Sequence, residues 1–421
     1  MEEARNALSQ NLAQSSLLRP DQSEEAEACL VLRDVIEQHQ RHRVNSRQPA
    51  LTQSQQDTLH KRLFDTFFQF GPLQEHLDNP LVEELIVNGP RSGFLLLVGG
   101  TKRPFDPGFS SDDEVRALLS RVVARAGRRI DESSPAVDVR LPGGARLHAI
   151  LPPLTQHVCL TVRRHRLVAD SLDELIELGT ITSEAASFLA DSVRGGLNIL
   201  VSGGTASGKT TTLNALGRAI PNEERIVTVE ETIELRLASV LPDCVSLEAR
   251  SANSEGVGRI SIRELVRHAL RMRPSRIVVG EVRGAEALDM LSAMNTGHEG
   301  SMGTLHANSA RQALSKLRTY LLMAEEGISS EVATEMIGET VDLVVHLQLH
   351  RSGGKRQVVQ IAEVVGIESG RILTNDLFRM DASELVRTNI RPRFFDRLGQ
   401  SDFQHSRPTS GNGSSPMKGT W

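Results

Sequence analysis

The sequence has 421 residues, which at a usual domain size of about 150 residues indicates two or three domains. Its hydrophobic fraction of 39% and charged fraction of 24% are typical of globular proteins and exclude a fibrous or wholly disordered chain. The formal net charge of -5 provides no overall basic field for a polyanion, so we expect no direct nucleic-acid partner. The three cysteines stand singly, which fits reduced thiols in a cytoplasmic protein.

The first part of the chain divides into an extension and a small domain. Residues 1–55 are rich in Gln, Ser, Arg and Glu, so we expect a loosely held N-terminal extension that is partly helical or disordered. Residues 56–168 combine strand and helix patterns and predict a smaller N-terminal α/β domain. Its main predicted helix covers 112–126, and its predicted strands cover 84–88, 94–98, 136–140, 146–151 and 158–163.

The second part of the chain alternates short apolar strands with amphipathic helices. This alternation, over residues 169–380, predicts an α/β domain with a largely parallel sheet covered by helices. The predicted strands include 197–202, 225–230, 276–280, 303–306 and 342–349. Residues 381–421 form a C-terminal segment, and from about Ser401 its Ser, Gly, Pro and Asn without periodicity predict a flexible, disordered tail.

A glycine-rich loop follows the first strand of the second domain. It fits the pattern G-x-x-x-x-G-K-[ST] and stands between a predicted strand and a predicted helix, which is the context that a phosphate-binding loop requires. Lys209 is expected to reach the β and γ phosphates, and the Thr210 hydroxyl is expected to ligate Mg²⁺. The predicted ATP-binding residues are Gly203, Gly204, Thr205, Ala206, Ser207, Gly208, Lys209, Thr210 and Thr211.

Hydrolysis also requires carboxylates at strand ends, to hold metal and orient water. Glu281 ends the apolar strand pattern RIVVGE, the arrangement called Walker B, and is expected to lie beside the phosphate loop. Glu230 and Glu231 end a second such strand and are candidates for an additional carboxylate. The alternative for this pair is the beginning of a solvated turn.

Two histidines, His298 and His306, stand eight positions apart in a glycine-containing segment that runs from Thr296 to Asn308. A single histidine is usually packed or solvated, and a metal site here would need a third ligand that the sequence does not supply. Composition alone therefore leaves the role of this pair open.

Taken together, these motifs resemble the secretion ATPases that power type II and type IV secretion and type IV pili. The resemblance rests on GGTASGKTT, VTVEETIEL, RIVVGEVRG and TGHEGSMGTLHAN, and it covers about residues 70 to 380. Within that superfamily, RIDESSPAVDVRLPGGARLHAILPP and VDLVVHLQLHRSGGKRQVVQIAEVVGIESG look like the branch that drives Flp/Tad pilus assembly.

The resemblance implies a RecA-like P-loop ATPase domain, an N-terminal domain that closes over the nucleotide, a homohexameric ring and docking to an inner-membrane platform protein. Such a protein works at the cytoplasmic face of the inner membrane, to which its partners attach it. The resemblance also implies site roles for Lys209 and Thr210 on phosphate and metal, Glu281 on water, His298 and His306 near the γ-phosphate, and Arg140, Arg146 and Arg163 as arginines that reach phosphates. Arg164 follows Arg163 directly and leaves the register of the last arginine open.

Three functions compete. The first is a Mg²⁺-dependent ATPase motor for Flp/Tad-type pilus assembly or protein secretion across the envelope. The second keeps the ATPase but makes it a type IV secretion motor for DNA or effector transfer. The third is a nucleotide-binding regulator without turnover, which the water-orienting acid and the arginines make less favoured.

Overall fold

A computed structural model describes residues 2–12, 22–141, 144–164, 169–250, 252, 257–350 and 354–398. The contacts divide the chain into two compact units. The first comprises Met1–Arg166 with Asn253–Val257, and the second comprises Leu167–Ala252 with Gly258–Trp421. Each unit is described by itself.

The first unit begins with helices that pack on one another. They are α1 (Glu2–Asn11), α2 (Gln22–Asn45), α3 (Gln53–Phe68) and the short α4 (Gln74–Asp78). On α2 the buried residues Ala28, Leu32 and Ile36 are spaced by four positions, so they lie on one helical face. They share an apolar cluster with Leu8 of α1 and Phe68 of α3. The described part of residues 1–55, where we expected a loosely held extension that is partly helical or disordered, is therefore mostly helical and buries an apolar face.

The rest of the first unit is an antiparallel sheet with a helix. Its strand order is β3-β2-β1-β6-β5-β4, and α5 (Asp112–Arg125) buries Leu118, Leu119 and Val123 in the apolar cluster of the sheet. Three acidic residues in the first turn of α5 complement the positive end of the helix dipole. The strands are β1 (Val82–Asn88), β2 (Gly93–Leu97), β3 (Lys102–Phe105), β4 (Ala136–Arg140), β5 (Arg146–Ile150) and β6 (Cys159–Arg163).

The second unit is built on a nine-stranded sheet in the order β15-β14-β13-β12-β7-β11-β10-β8-β9. Six strands, β7 to β12, are parallel to their neighbours, and β13 to β15 extend the sheet antiparallel. The strands are β7 (Ile199–Gly203), β8 (Ile226–Glu230), β9 (Cys244–Glu248), β10 (Arg276–Val282), β11 (Met302–His306), β12 (Leu343–Leu349), β13 (Arg356–Glu368), β14 (Arg371–Asp381) and β15 (Glu384–Arg387).

Helices cover both faces of this sheet. Along β7, Ile199 and Val201 enter one apolar cluster and Leu200 enters another, as expected of a strand that is buried on both sides. The helices are α6 (Leu172–Glu177), α7 (Ser183–Arg194), α8 (Lys209–Gly217), α9 (Ile262–Ala269), α10 (Glu286–Asn295), α11 (Ala310–Leu322) and α12 (Ser330–Thr340).

The predicted α/β class with a largely parallel sheet is confirmed by this topology. The strands β3, β9, β13, β14 and β15 were not predicted, and β15 lies beyond residue 380, where we expected the ATPase domain to end. The predicted disordered tail from Ser401 lies outside the described residues.

Candidate nucleotide-binding site

The glycine-rich loop connects the C-terminal end of β7 to the N-terminal end of α8. A Cβ atom at Gly203 would lie 2.7 Å from the carbonyl oxygen of Leu347, so close packing requires glycine there. Gly208 caps the helix with a φ of 98°, which is the left-handed region that favours glycine. At Gly204 a Cβ would meet no atom within 4 Å, so this side of the loop is open. The loop therefore combines a tightly packed base with free space above it.

Lys209 is buried at the base of this loop. Its ammonium group donates a hydrogen bond of 2.9 Å to the carbonyl of Gly204 and lies 3.3 Å from Nδ1 of His306. Thr210 and Thr211 follow in the first turn of α8 and are half-buried. The loop is also held from β13, because Arg356 Nε donates a 2.9 Å hydrogen bond to the carbonyl of Ala206.

His306 ends β11 and connects three groups of the site. Its Nδ1 lies 3.1 Å from Glu281 Oε1, and its Nε2 lies 3.0 Å from the Thr205 hydroxyl. One neutral Nδ1 either donates to Glu281 or accepts from Lys209, so the two tautomers of the ring make different contacts. With the proton on Nδ1, the ring donates to Glu281 and its Nε2 accepts from the Thr205 hydroxyl, so that tautomer joins the phosphate loop to the Walker B carboxylate.

Glu281 is the carboxylate that ends this constellation. It lies on β10, next to β11 in the sheet, and it contacts the guanidinium of Arg283 as well as His306. Burial raises the pKa of Glu281, but hydrogen bonds from Arg283 and His306 and the charge of Lys209 outweigh it and hold the pKa below its ordinary value. The carboxylate is therefore ionised at neutral pH.

The pair Glu230 and Glu231 divides into a buried and an exposed residue. Glu230 packs against Gly280, where a Cβ would lie 2.8 Å from Glu230 Cγ. Its Oε2 accepts hydrogen bonds from the backbone N–H groups of Glu234 and Leu235, at 2.9 and 3.1 Å. Glu231 is exposed at the beginning of the same loop. Glu230 thus shapes the loop that follows β8, and Glu231 has its carboxylate in solvent.

His298 is not brought to the phosphate loop of its own chain. It precedes β11, whose first residue Met302 pairs with Ile199 and whose last residue His306 pairs with Gly203. Four strand steps span about 13 Å, so His298 lies toward the opposite edge of the sheet. There its Nδ1 lies 3.2 Å from the carbonyl of Ala293, a local helix-end contact. Of the two histidines, only His306 belongs to the constellation described here.

The three arginines predicted in the first unit are neighbours across its sheet. Arg140 on β4 lies opposite Arg146 on β5, and Arg146 lies opposite Arg163 on β6. Paired residues of adjacent strands share a face, so these side chains form one row, which we call the arginine row. Glu84 on β1 continues it and lies 3.3 Å from Arg163. Arg164 instead donates a hydrogen bond to the carbonyl of Asn79.

Like charges directly opposite one another destabilise a sheet. The arginine row places such charges opposite one another, and a role of Arg140, Arg146 and Arg163 toward phosphate stays a prediction.

Several residues near the phosphate loop were not predicted from the sequence. No sequence pattern marks Arg283, although it lies in the Walker B segment. Arg356 is far from the phosphate loop along the chain, so its contact with the loop could not be predicted. His346 on β12 had a signal, because a histidine inside an apolar strand is unusual. It is buried, lies opposite Ser202 of β7, and its Nδ1 is 3.0 Å from the Ser202 hydroxyl.

The donors present fit a nucleotide and its metal. The open side of Gly204, the buried Lys209 ammonium and the N-terminal end of α8 suit phosphate groups, and the Thr210 hydroxyl stands where such loops ligate Mg²⁺. Among the described residues, no three His, Cys, Asp or Glu side chains converge on a metal site. Within the same residues no helix is long and apolar enough to cross a membrane.

A strand, phosphate loop and helix at the C-terminal edge of a parallel sheet, beside an ionised strand-end glutamate, define a nucleotide-binding protein of the P-loop class. Residues 68–387 match the family model described as "Type II/IV secretion system protein". The chain belongs to this family, which confirms the predicted resemblance to the secretion ATPases of type II and type IV secretion, while the Flp/Tad branch stays a prediction.

Individual relatives agree with this assignment. A putative conjugal transfer protein of Mycobacterium tuberculosis is 40% identical over 318 residues, which cover 74% of this chain and 88% of that protein. Protein VirB11 of Agrobacterium fabrum is 31% identical over 310 residues, covering 66% of this chain and 88% of that protein. The crystal structure of the VirB11 ATPase from the Brucella suis type IV secretion system, in complex with sulphate, has 26% identity and a TM-score of 0.39, and covers 72% of this chain and 95% of that one.

Proposed function

We propose that this protein is an ATP-hydrolysing motor of a type IV secretion-like machine. The observation that carries this proposal is the contact chain from Lys209 through His306 to Glu281, which joins a phosphate loop to a water-orienting acid. Neither a structural loop nor a simple nucleotide sensor needs that acid.

The residues take separate roles in this reaction. Lys209 binds the β and γ phosphates, while Glu281 accepts a hydrogen bond from the attacking water and aligns it with the γ-phosphate. The Thr210 hydroxyl would hold Mg²⁺, which would supply positive charge at the phosphates. The arginine row of the first unit is proposed to supply further positive charge to the nucleotide. His306 positions Glu281 relative to the phosphate loop.

The working form proposed is a homohexameric ring at the cytoplasmic face of the inner membrane, bound there to a platform protein of the machine. The conjugal transfer and VirB11 relatives favour a motor that serves DNA or effector transfer. The second candidate is Flp/Tad pilus assembly, which the segments RIDESSPAVDVRLPGG and VDLVVHLQLHRSGGKRQ favour. A neighbouring relaxase gene supports the first cargo, and a neighbouring prepilin gene supports the second.

The activity is tested with purified full-length protein and Mg²⁺-ATP. We expect slow hydrolysis that requires Mg²⁺, and Lys209→Ala should lose nucleotide affinity and turnover together. Light scattering with a non-hydrolysable ATP analogue should show a hexameric mass. ATP binding without any hydrolysis would instead support a regulator, and full activity as a monomer would contradict the ring.

A further inference from the structure

Both carboxylate oxygens of Glu281 are engaged. Oε1 contacts Nδ1 of His306, and Oε2 accepts a hydrogen bond from Nη2 of Arg283. An ion pair with a guanidinium withdraws negative charge from a carboxylate and makes it a weaker base. In this arrangement Glu281 is poorly prepared to orient a water molecule.

Arg283 is a movable partner. It lies two positions after Glu281, and 65% of its side chain is exposed, whereas 24% of the Glu281 side chain is exposed. Ion pairs that involve an exposed arginine are weak because water solvates the separated guanidinium well. Arg283 can therefore leave Glu281 without a change in the fold.

A second set of carboxylates follows β8, the strand that pairs with β10 in the sheet. Burial lowers the pKa of Arg283, but Glu281, Glu231 and Glu234 together outweigh this and raise it above its ordinary value. Glu231 and Glu234 belong to the loop that Glu230 shapes after β8. The guanidinium of Arg283 is thus attracted both by Glu281 on β10 and by the two carboxylates that follow β8.

We propose that Arg283 is a latch on Glu281. While the two are paired, Glu281 orients water poorly and hydrolysis is slow. When Arg283 moves to Glu231 and Glu234, the Glu281 carboxylate is released toward the attacking water. Arg283 is a positioning residue, and Glu231 acquires a role that differs from that of the buried Glu230. This inference rests on the proposed ATPase function.

The test compares steady-state ATP hydrolysis by the full-length wild type, Arg283→Gln and Arg283→Lys. Arg283→Gln removes the cation, so kcat should rise about threefold or more while KM for ATP changes less than about twofold. Arg283→Lys keeps the charge and should return kcat most of the way to wild type. The double variant Arg283→Gln with Glu281→Gln should lose the gain, because the latch acts only through Glu281.

Two further variants separate the latch from general effects of charge. Arg194→Gln removes another exposed arginine, which pairs with Asp191 at 2.8 Å on α7, and it should leave kcat unchanged. Glu231→Gln with Glu234→Gln removes the alternative partners, so Arg283 stays on Glu281 and kcat should fall. A purely structural role for Arg283 would not produce a gain that Glu281→Gln abolishes.

The outcomes separate a failure of the latch from a failure of the proposed ATPase function. If the wild type hydrolyses ATP and folded Arg283→Gln is no faster, the latch is wrong and the proposed function stands. If Arg283→Gln is slower, Arg283 assists the reaction, and the latch is again contradicted. If neither protein hydrolyses ATP, the proposed function fails and the latch fails with it. Hydrolysis by Arg283→Gln but not by the wild type would support both the latch and the proposed function.

Discussion

The imidazole Nδ1 of His306 lies 3.1 Å from the Glu281 carboxylate, across two neighbouring parallel strands. The same ring contacts Thr205 and Lys209 of the phosphate loop. A change in the phosphates bound at Lys209 therefore has a direct route to the acid that orients water. This coupling between the bound phosphates and Glu281 needs no metal ion at His306.

His306→Ala should separate binding from turnover. Lys209 keeps its bond to the Gly204 carbonyl in this variant, so ATP affinity should change less than about threefold. Glu281 loses the partner that positions it, so kcat should fall by about tenfold or more. Nucleotide affinity, turnover and bound zinc should be measured on one preparation. Normal turnover would make His306 an ordinary packed residue, and zinc lost in the variant would restore a ligand role.

The arginine row should act in turnover rather than in folding. Arg146 lies between Arg140 and Arg163, so Arg146→Ala should lower kcat by about tenfold or more while the unfolding temperature stays equal or rises, because like-charge repulsion is relieved. Arg164→Ala is the matched control, since Arg164 contacts the Asn79 carbonyl and lies outside the row. Equal losses in the two variants would show that the row has no special function.

His346 predicts a particular pH dependence of stability. Burial, together with the positive charge of Lys209, lowers the pKa of His346 below its ordinary value, although a hydrogen bond with the Asn308 backbone opposes the shift. Between that lowered pKa and about 6.5 the unfolded chain binds more protons, so the free energy of unfolding falls as pH decreases through this interval. Above about pH 6.5 the contribution is fully present.

The measurement is urea unfolding of wild type and His346→Gln at about pH 7.5 and about pH 5.5. The variant should lose less stability between the two pH values than the wild type does. Asp342 and Glu363 have raised pKa values, mainly through burial, and act in the opposite direction, but they are common to both proteins and cancel in the comparison. Identical pH dependence would show that His346 does not contribute.

Much of the fold was predictable because its signals are local. The phosphate loop stands between a predicted strand and a predicted helix, and β7 and α8 occupy those places within three residues. The strands β13 to β15 were missed, because antiparallel strands with one exposed face carry polar residues and weaker apolar runs. The helix α2 was underestimated because its buried face is narrow and its remaining surface is charged.

The site was predictable only in part, because register and strand direction are properties of the sheet. Spacing alone grouped His298 with His306, but β11 runs between them and carries His306 to the phosphate loop and His298 away from it. Glu230 and Glu231 have the same chemistry in sequence, but β8 is buried on both faces and ends at Glu230, so Glu231 is exposed in the loop that follows. The ion pair of Arg283 could not be predicted from the sequence, because it depends on where the side chains lie in the folded protein.

Glu281 is proposed to orient the water that attacks bound ATP. Glu281→Gln keeps the shape of the side chain and removes the charge, so the variant should bind ATP with wild-type affinity and lose turnover by about a hundredfold or more. Lys209→Ala is the comparison, because it should lose binding as well. The decisive measurement is single-turnover hydrolysis by Glu281→Gln at saturating Mg²⁺-ATP. ATP that stays bound and uncleaved is the predicted result, and cleavage at the wild-type rate would contradict the account.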